Sequence, residues 1–353
     1  MSQSKRPAYV AYAAHALHDG FTDLMYVLLP LFQAEFALAY VQTARGTEGT
    51  MRLLVFLACA LVAPVLMAAA QPMRLQPSSQ WVVDYAADSC RLVRNFGVGK
   101  DETKFALESE SPGQVDMLVV GNPLANNTEE VSARFLPVQV KPMTGRTAIA
   151  EDRRPALLWS QVVFLPDDLA EKKKKSDEAR HKTTGRPPAL DLAEEARTKA
   201  MRQDFASKAN ELEINTHRGR SVVLETGPLG EAMKAFDKCG RDSLRDWGVD
   251  PDLEDKIVRP LWTPSVAKWF SASDYPQRML VLEQESVVKV RLLVDARGRP
   301  TKCTSLSHFK ESSFNDVVCA KFMDRAHFEP AELADGTKVP SFYTTVITFM
   351  MGN

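Results

Sequence analysis

The 353 residues suffice for two ordinary domains, and 45% hydrophobic with 25% charged residues is the balance of a chain that buries cores, which excludes a disordered tail protein. Lys and Arg number 44 against 45 Asp and Glu, a formal net charge of -1, so no global field points to nucleic acid or to an anionic membrane surface.

In chain order, the first feature is FTDLMYVLLPLFQAEFALAYVQTA (21–44), apolar over about one bilayer span but broken by Asp23, Pro30 and Glu35. With the preceding AYAAHALHDG, residues 8–44 resemble the first transmembrane helix of major facilitator superfamily transporters. The resemblance implies a membrane-helix remnant over 1–50, because a transporter of that family needs many more spans and none follows Ala70. His15, His18 and Asp19 share a helix face, a spacing that suits a transition metal, yet no further His or Cys lies nearby and no metal site is expected.

A second apolar segment begins at Met51. A secretory signal needs a basic end, an apolar run of about 7 to 15 residues and a small-residue cleavage site. Arg52, the run 53–67 and Ala68-Ala69-Ala70 before Gln71 supply all three, with Ala68 and Ala70 as the cleavage positions and Gln71 as the new N-terminus. Two accounts follow. Either the protein is exported to the periplasm and begins near Gln71, or residues 1–70 are retained as a two-helix anchor in the inner membrane, 51–70 being the second helix. Removing 1–70 also removes Cys59 and leaves Cys90, Cys239, Cys303 and Cys319, an even set that fits an oxidising compartment and two disulfides in one of three pairings.

Residues 71–260 are expected to form a β-rich domain with two helices. Strand character recurs at 81–85, 91–96, 104–108, 115–120 and 157–165, separated by Gly, Pro, Asn and Asp. DDLAEKKKKSDEARHKTTGRPPALD (167–191) is charge-dense and reads as a solvated surface excursion, its four lysines diluted by acids and without an interleaved aromatic, so no phosphate-binding patch is expected. Helices are expected over 189–212 and 228–247, the second ending at Gly248, with a strand at 221–225. Cys239 on that second helix is the natural partner for Cys90 on an early strand.

The C-terminal region, 262–353, is the clearest. VVKVRLLVD (287–295) alternates, placing Val288, Val290, Leu292 and Val294 on one face and Lys289 and Arg291 on the other. A turn at Ala296-Arg297-Gly298-Arg299 leads into a returning strand, 300–307. Ser312 and Ser313 can cap a helix over 314–325 with Phe314, Val317, Val318 and Phe322 along its stripe, and Asp335-Gly336 turns into a last strand, 340–350, rich in β-branched and aromatic residues. Cys303 on the second strand and Cys319 on the helix are placed to face each other.

This strand-strand-helix-strand order, with Asp274-Tyr275-Pro276 ahead of it, Asp295-x-x-Gly298 in its turn and Phe328-x-Pro330 after its helix, resembles the TonB C-terminal domain family over about 80 residues of the region 262–353. It departs from the family where Glu285-Ser286 replaces the usual Gly before the first strand. The resemblance implies an α+β fold and a protein-binding role: recognition of extended segments of outer-membrane receptors by strand addition, on an exposed edge formed by Phe342, Tyr343, Thr344, Thr345, Val346, Ile347, Thr348 and Phe349. It also implies, for an anchored chain, coupling to a proton-driven inner-membrane motor, although the 21 prolines are scattered and form no long spacer. No G-x-S-x-G, H-E-x-x-H, Walker or Rossmann pattern occurs. The expectation is a non-enzymatic protein without cofactor, metal, nucleic-acid partner or small-molecule substrate.

Overall fold

The computed structural model describes residues 9–13, 71–86, 88–125, 131–150, 152–181, 185–215, 221–306 and 312–351. The expected signal segment 51–70, with Ala68 and Ala70, and His15, His18 and Asp19 lie outside the described residues; Gln71 is where the main described body begins. The strands are β1 (Tyr9–Ala13), β2 (Met73–Leu75), β3 (Val82–Tyr85), β4 (Cys90–Phe96), β5 (Thr103–Ser111), β6 (Gln114–Gly121), β7 (Val131–Leu136), β8 (Met143–Ile149) and β9 (Pro155–Trp159). After helices α1 (Asp167–His181) and α2 (Leu192–Lys208) come β10 (Glu211–Asn215) and β11 (Ser221–Leu224), then α3 (Gly230–Trp247) and α4 (Pro251–Glu254). The C-terminal part comprises β12 (Ile257–Arg259), α5 (Gln277–Val281), β13 (Ser286–Val294), β14 (Pro300–Ser305), α6 (Ser312–Arg325), β15 (Ala331–Leu333), β16 (Lys338–Val339) and β17 (Ser341–Met350). The fold is mixed α+β.

The middle region is one ten-stranded sheet, in the order β2-β11-β10-β7-β8-β9-β6-β5-β4-β3, curled into a half-barrel. Its neighbours are antiparallel except β11 with β2. The segment after β2 stitches the two ends together: the Gly97 N–H donates to Gln76 O and the Ser78 N–H to Asn95 O, both at 2.8 Å. Alternation along the strands sends Leu92, Phe105, Leu107, Met117 and Val119 inward, where Phe135, Phe164 and Phe205 pack edge-on or tilted beside one another. Gly145 on β8 allows the Trp159 ring to lie against the backbone, since a Cβ there would sit 2.5 Å from it.

Two expectations change here. The charge-dense run 167–191 contains a third long helix, α1, where a surface excursion was expected. It lacks an apolar stripe and is supported instead by i,i+4 ion pairs, Lys175 with Glu171 and Lys173 with Asp177, and by Asp167 accepting from the Val140 and Lys141 N–H groups. Strands β7, β8 and β10 were also not anticipated. By contrast α3 ends as the sequence predicts, with Gly248 in the left-handed conformation at φ 85°.

A second core runs from Ile257 to Phe349 around a four-stranded sheet in the order β1-β17-β13-β14. The alternation in β13 is as read: Val288, Val290, Leu292 and Val294 are buried against Phe314, Val318 and Phe322 of α6. A small sheet, β12-β15-β16, is tied to the middle region through Arg186, which donates to Pro330 O and pairs with Glu332.

Candidate strand-acceptor site

β17 is the strand that the sequence offers as a peptide-binding edge, and its environment is built from three sides. Its inward residues, Thr345, Ile347 and Phe349, are buried, and Phe349 packs on Tyr275 and Phe314 at ring-centroid distances of 5.4 and 4.9 Å. Tyr343 stacks on Phe328 at 4.9 Å, and burial pushes its hydroxyl up to about 12. One edge of β17 pairs along nine residues with β13, from Ser286↔Phe349 to Val294↔Ser341.

The other edge is not open. β1 pairs with it antiparallel in five registered positions: Tyr9↔Met350, Val10↔Phe349, Ala11↔Thr348, Tyr12↔Ile347 and Ala13↔Val346. Five residues of the segment expected to resemble a membrane helix are thus a strand, and the expected exposed edge Phe342–Phe349 is taken over its C-terminal half by the chain itself. The reason is physical: an unpaired row of N–H and C=O groups in a half-buried strand recruits any β-competent segment within reach.

The family-like motifs serve as scaffold to this strand. Asp274 is buried and receives Arg325 Nη1 at 2.8 Å, Lys321 Nζ at 2.9 Å and the Ser271 N–H at 2.8 Å. Burial alone would raise its carboxyl, but these donors outweigh it and hold the group well below the usual carboxylate range. Tyr275 then enters the core and its hydroxyl donates to Gln284 O. Asp295-x-x-Gly298 and Phe328-x-Pro330 meet: the Phe328 N–H donates to Gly298 O at 2.8 Å, and a Cβ on Gly298 would fall 1.9 Å from Phe328 O. None of these residues presents a ligand set.

The outer face of the sheet carries the surprise. The sequence places Lys289 and Arg291 on the face away from the core, and they are there, but Arg291 is only 2% exposed because the middle region covers it. Its guanidinium lies 3.4 Å from the Trp247 ring centroid and donates to Asp88 O, Glu110 O and the Asp88 carboxylate. Burial lowers its pKa and Asp88 opposes that shift. Lys289 pairs with Glu110, Ser111 bonds Thr344, and Phe342 meets Trp247 edge-on at 6.0 Å. At the start of β17 the Ser341 hydroxyl donates to Glu254, whose carboxyl burial pushes up to about 7 despite that hydrogen bond, with Asp255 adding to the rise. This seam was missed because nothing local in the sequence marks Trp247, Asp88 or Glu254 as its partners.

The cysteines pair as Cys90–Cys239, joining β4 to α3 with a Cα separation of 6.0 Å, and as Cys303–Cys319, joining β14 to α6 at 5.5 Å. Among the described residues no group of three or more His, Cys, Asp or Glu could hold a metal ion, and no helix is long and apolar enough to cross a membrane. No family model, curated protein or solved structure matches the chain.

Proposed function

We propose that this is a non-enzymatic, exported periplasmic protein whose C-terminal unit is a TonB-like module that binds extended segments of outer-membrane receptors by adding them as a strand beside β17. The observation that carries this reading is the five-residue antiparallel pairing on the outer edge of β17. That edge takes a strand in antiparallel main-chain register, which is the physical requirement for strand-addition recognition. The two disulfides agree with an oxidising compartment. Affinity resides in the ladder, and selectivity in the side chains that flank it.

One observation favours a second reading. Because β1 belongs to the first 50 residues and reaches the C-terminal sheet, a chain that keeps residues 1–70 has both ends in one compartment, as a two-helix anchor in the inner membrane requires. Such a chain would draw on an inner-membrane proton-driven motor.

The test is binding of a fluorescein-labelled peptide, copied from the extended N-terminal segment of an outer-membrane receptor, to the oxidised protein beginning at Gln71. Saturable binding in the micromolar range is expected. Absence of binding by correctly oxidised protein sinks the strand-addition reading, and an intact N-terminus recovered from the inner membrane replaces export with anchoring.

A further inference from the structure

We infer that the guest position on β17 has a resident occupant in the unprocessed chain: the segment Tyr9–Ala13 is a tethered pseudo-guest that must leave before another strand can pair there. The inference rests on the strand-acceptor reading for its consequence, but on the geometry for its existence. All five contacts in the register are residue-for-residue antiparallel pairs without a bulge, and β1 also runs beside the turns at Val266–Trp269 and Ala272–Asp274, so it is cradled on a second side. Its sequence, Tyr-Val-Ala-Tyr-Ala, combines three strong strand formers with two alanines and contains no Pro, Gly or charge.

Occupancy and guest binding are mutually exclusive, because each N–H and C=O on that edge serves one neighbour in the ladder. A tethered strand also competes as an intramolecular ligand, at an effective concentration set by the length of residues 14–70, which join it to Gln71. The opposite edge of the sheet, β14, begins at Pro300, which cannot donate to a guest. Cleavage after Ala70 would cut the tether, and a five-residue strand without one has too few contacts to stay, since short isolated strand pairings are marginal in water. Processing would therefore turn a closed edge into an open one.

The test uses the full chain with Cys59→Ser to remove the unpaired thiol. Ala11→Cys combined with Thr348→Cys is expected to give an intrachain disulfide, seen as a mobility shift on a non-reducing gel and located by mass spectrometry. Ala11→Cys with Val287→Cys, one strand further away, is expected to give none. In parallel, a labelled peptide copying residues 7–15 is titrated into the full chain and into the chain starting at Gln71, which retains both cores and both disulfides. At least tenfold weaker binding to the full chain is expected. Equal binding with no cross-link overturns the inference, as does a cross-link found only between two copies. A correct cross-link alongside failure of the receptor peptide to bind the shorter chain leaves the resident strand standing and removes the receptor reading.

Discussion

The half-barrel and the C-terminal sheet face the same problem, unpaired strand edges, and solve it differently. Ten strands are enough to curl until the segment after β2 can bond to β4, so the larger sheet stitches its own ends. The C-terminal sheet is too narrow to curl shut. It fastens α6 to β14 through Cys303–Cys319, and β17 is covered by a strand from elsewhere. A wide sheet covers its edges with itself; a narrow one takes a strand from a distant part of the chain.

The contrast can be broken at four points, in decreasing order of effect. Replacing Cys90 and Cys239 by Ser removes the constraint on a separation of 149 residues and is expected to cost about 5 kcal/mol from loop-closure entropy, read as a lower urea midpoint for the transition reported by Trp81 and Trp159. Arg291→Ala leaves Glu110 O without its partner and strips the buried cation from Trp247, while the exposed Asp88 carboxylate can turn to water; a loss of about 3 kcal/mol is expected, with proteolysis between the two regions becoming faster. If that variant is as stable as the parent, the seam is not a structural joint. Replacing Cys303 and Cys319 closes no more than a separation of 16 residues and should cost about 3 kcal/mol, confined by hydrogen exchange to α6 and β14.

The smallest effect is pH-dependent. Glu254 has a folded pKa of about 7 against an ordinary 4.5, so the native state holds a proton that the unfolded chain releases first. Its contribution is fully present below pH 4.5 and is lost as pH rises toward and through 7. Glu254→Gln, which still accepts from Ser341, is expected to flatten that part of the stability profile by about 2 kcal/mol when compared with the parent. An unchanged profile would mean that the seam admits water freely.

The parts legible in the sequence were those whose pattern is local. Alternation in 287–295 located β13 because its inner face meets a single helix, and Gly248 marked the end of α3 because only a left-handed cap follows there. The disulfide pairing followed from which elements the cysteines occupied. What escaped depended on remote partners. β8 is exposed over most of its length and carries Gly145, whose reason is the Trp159 ring on the neighbouring strand. Arg291 could be assigned to the outer face of β13 from the alternation, but its cover comes from Asp88 and Trp247, far away in the chain. For the candidate site, the strand itself was readable, but its neighbour was not: Tyr9–Ala13 lies within a stretch whose apolar character points to a membrane.

One structural link ties these regions together as a machine part. Helix α3 is held by Cys239 at its middle and presents Trp247 to Arg291 at its end, eight residues and about 12 Å further on. The helix is therefore a strut, clamped covalently at one end of that span and bearing on the C-terminal sheet at the other. Oxidation of a bridge inside the half-barrel therefore fixes the end of α3 that bears on Arg291 and Phe342, and reduction of Cys90–Cys239 would loosen that bearing while the direct bonds from Glu110 and Ser111 to the C-terminal sheet remain.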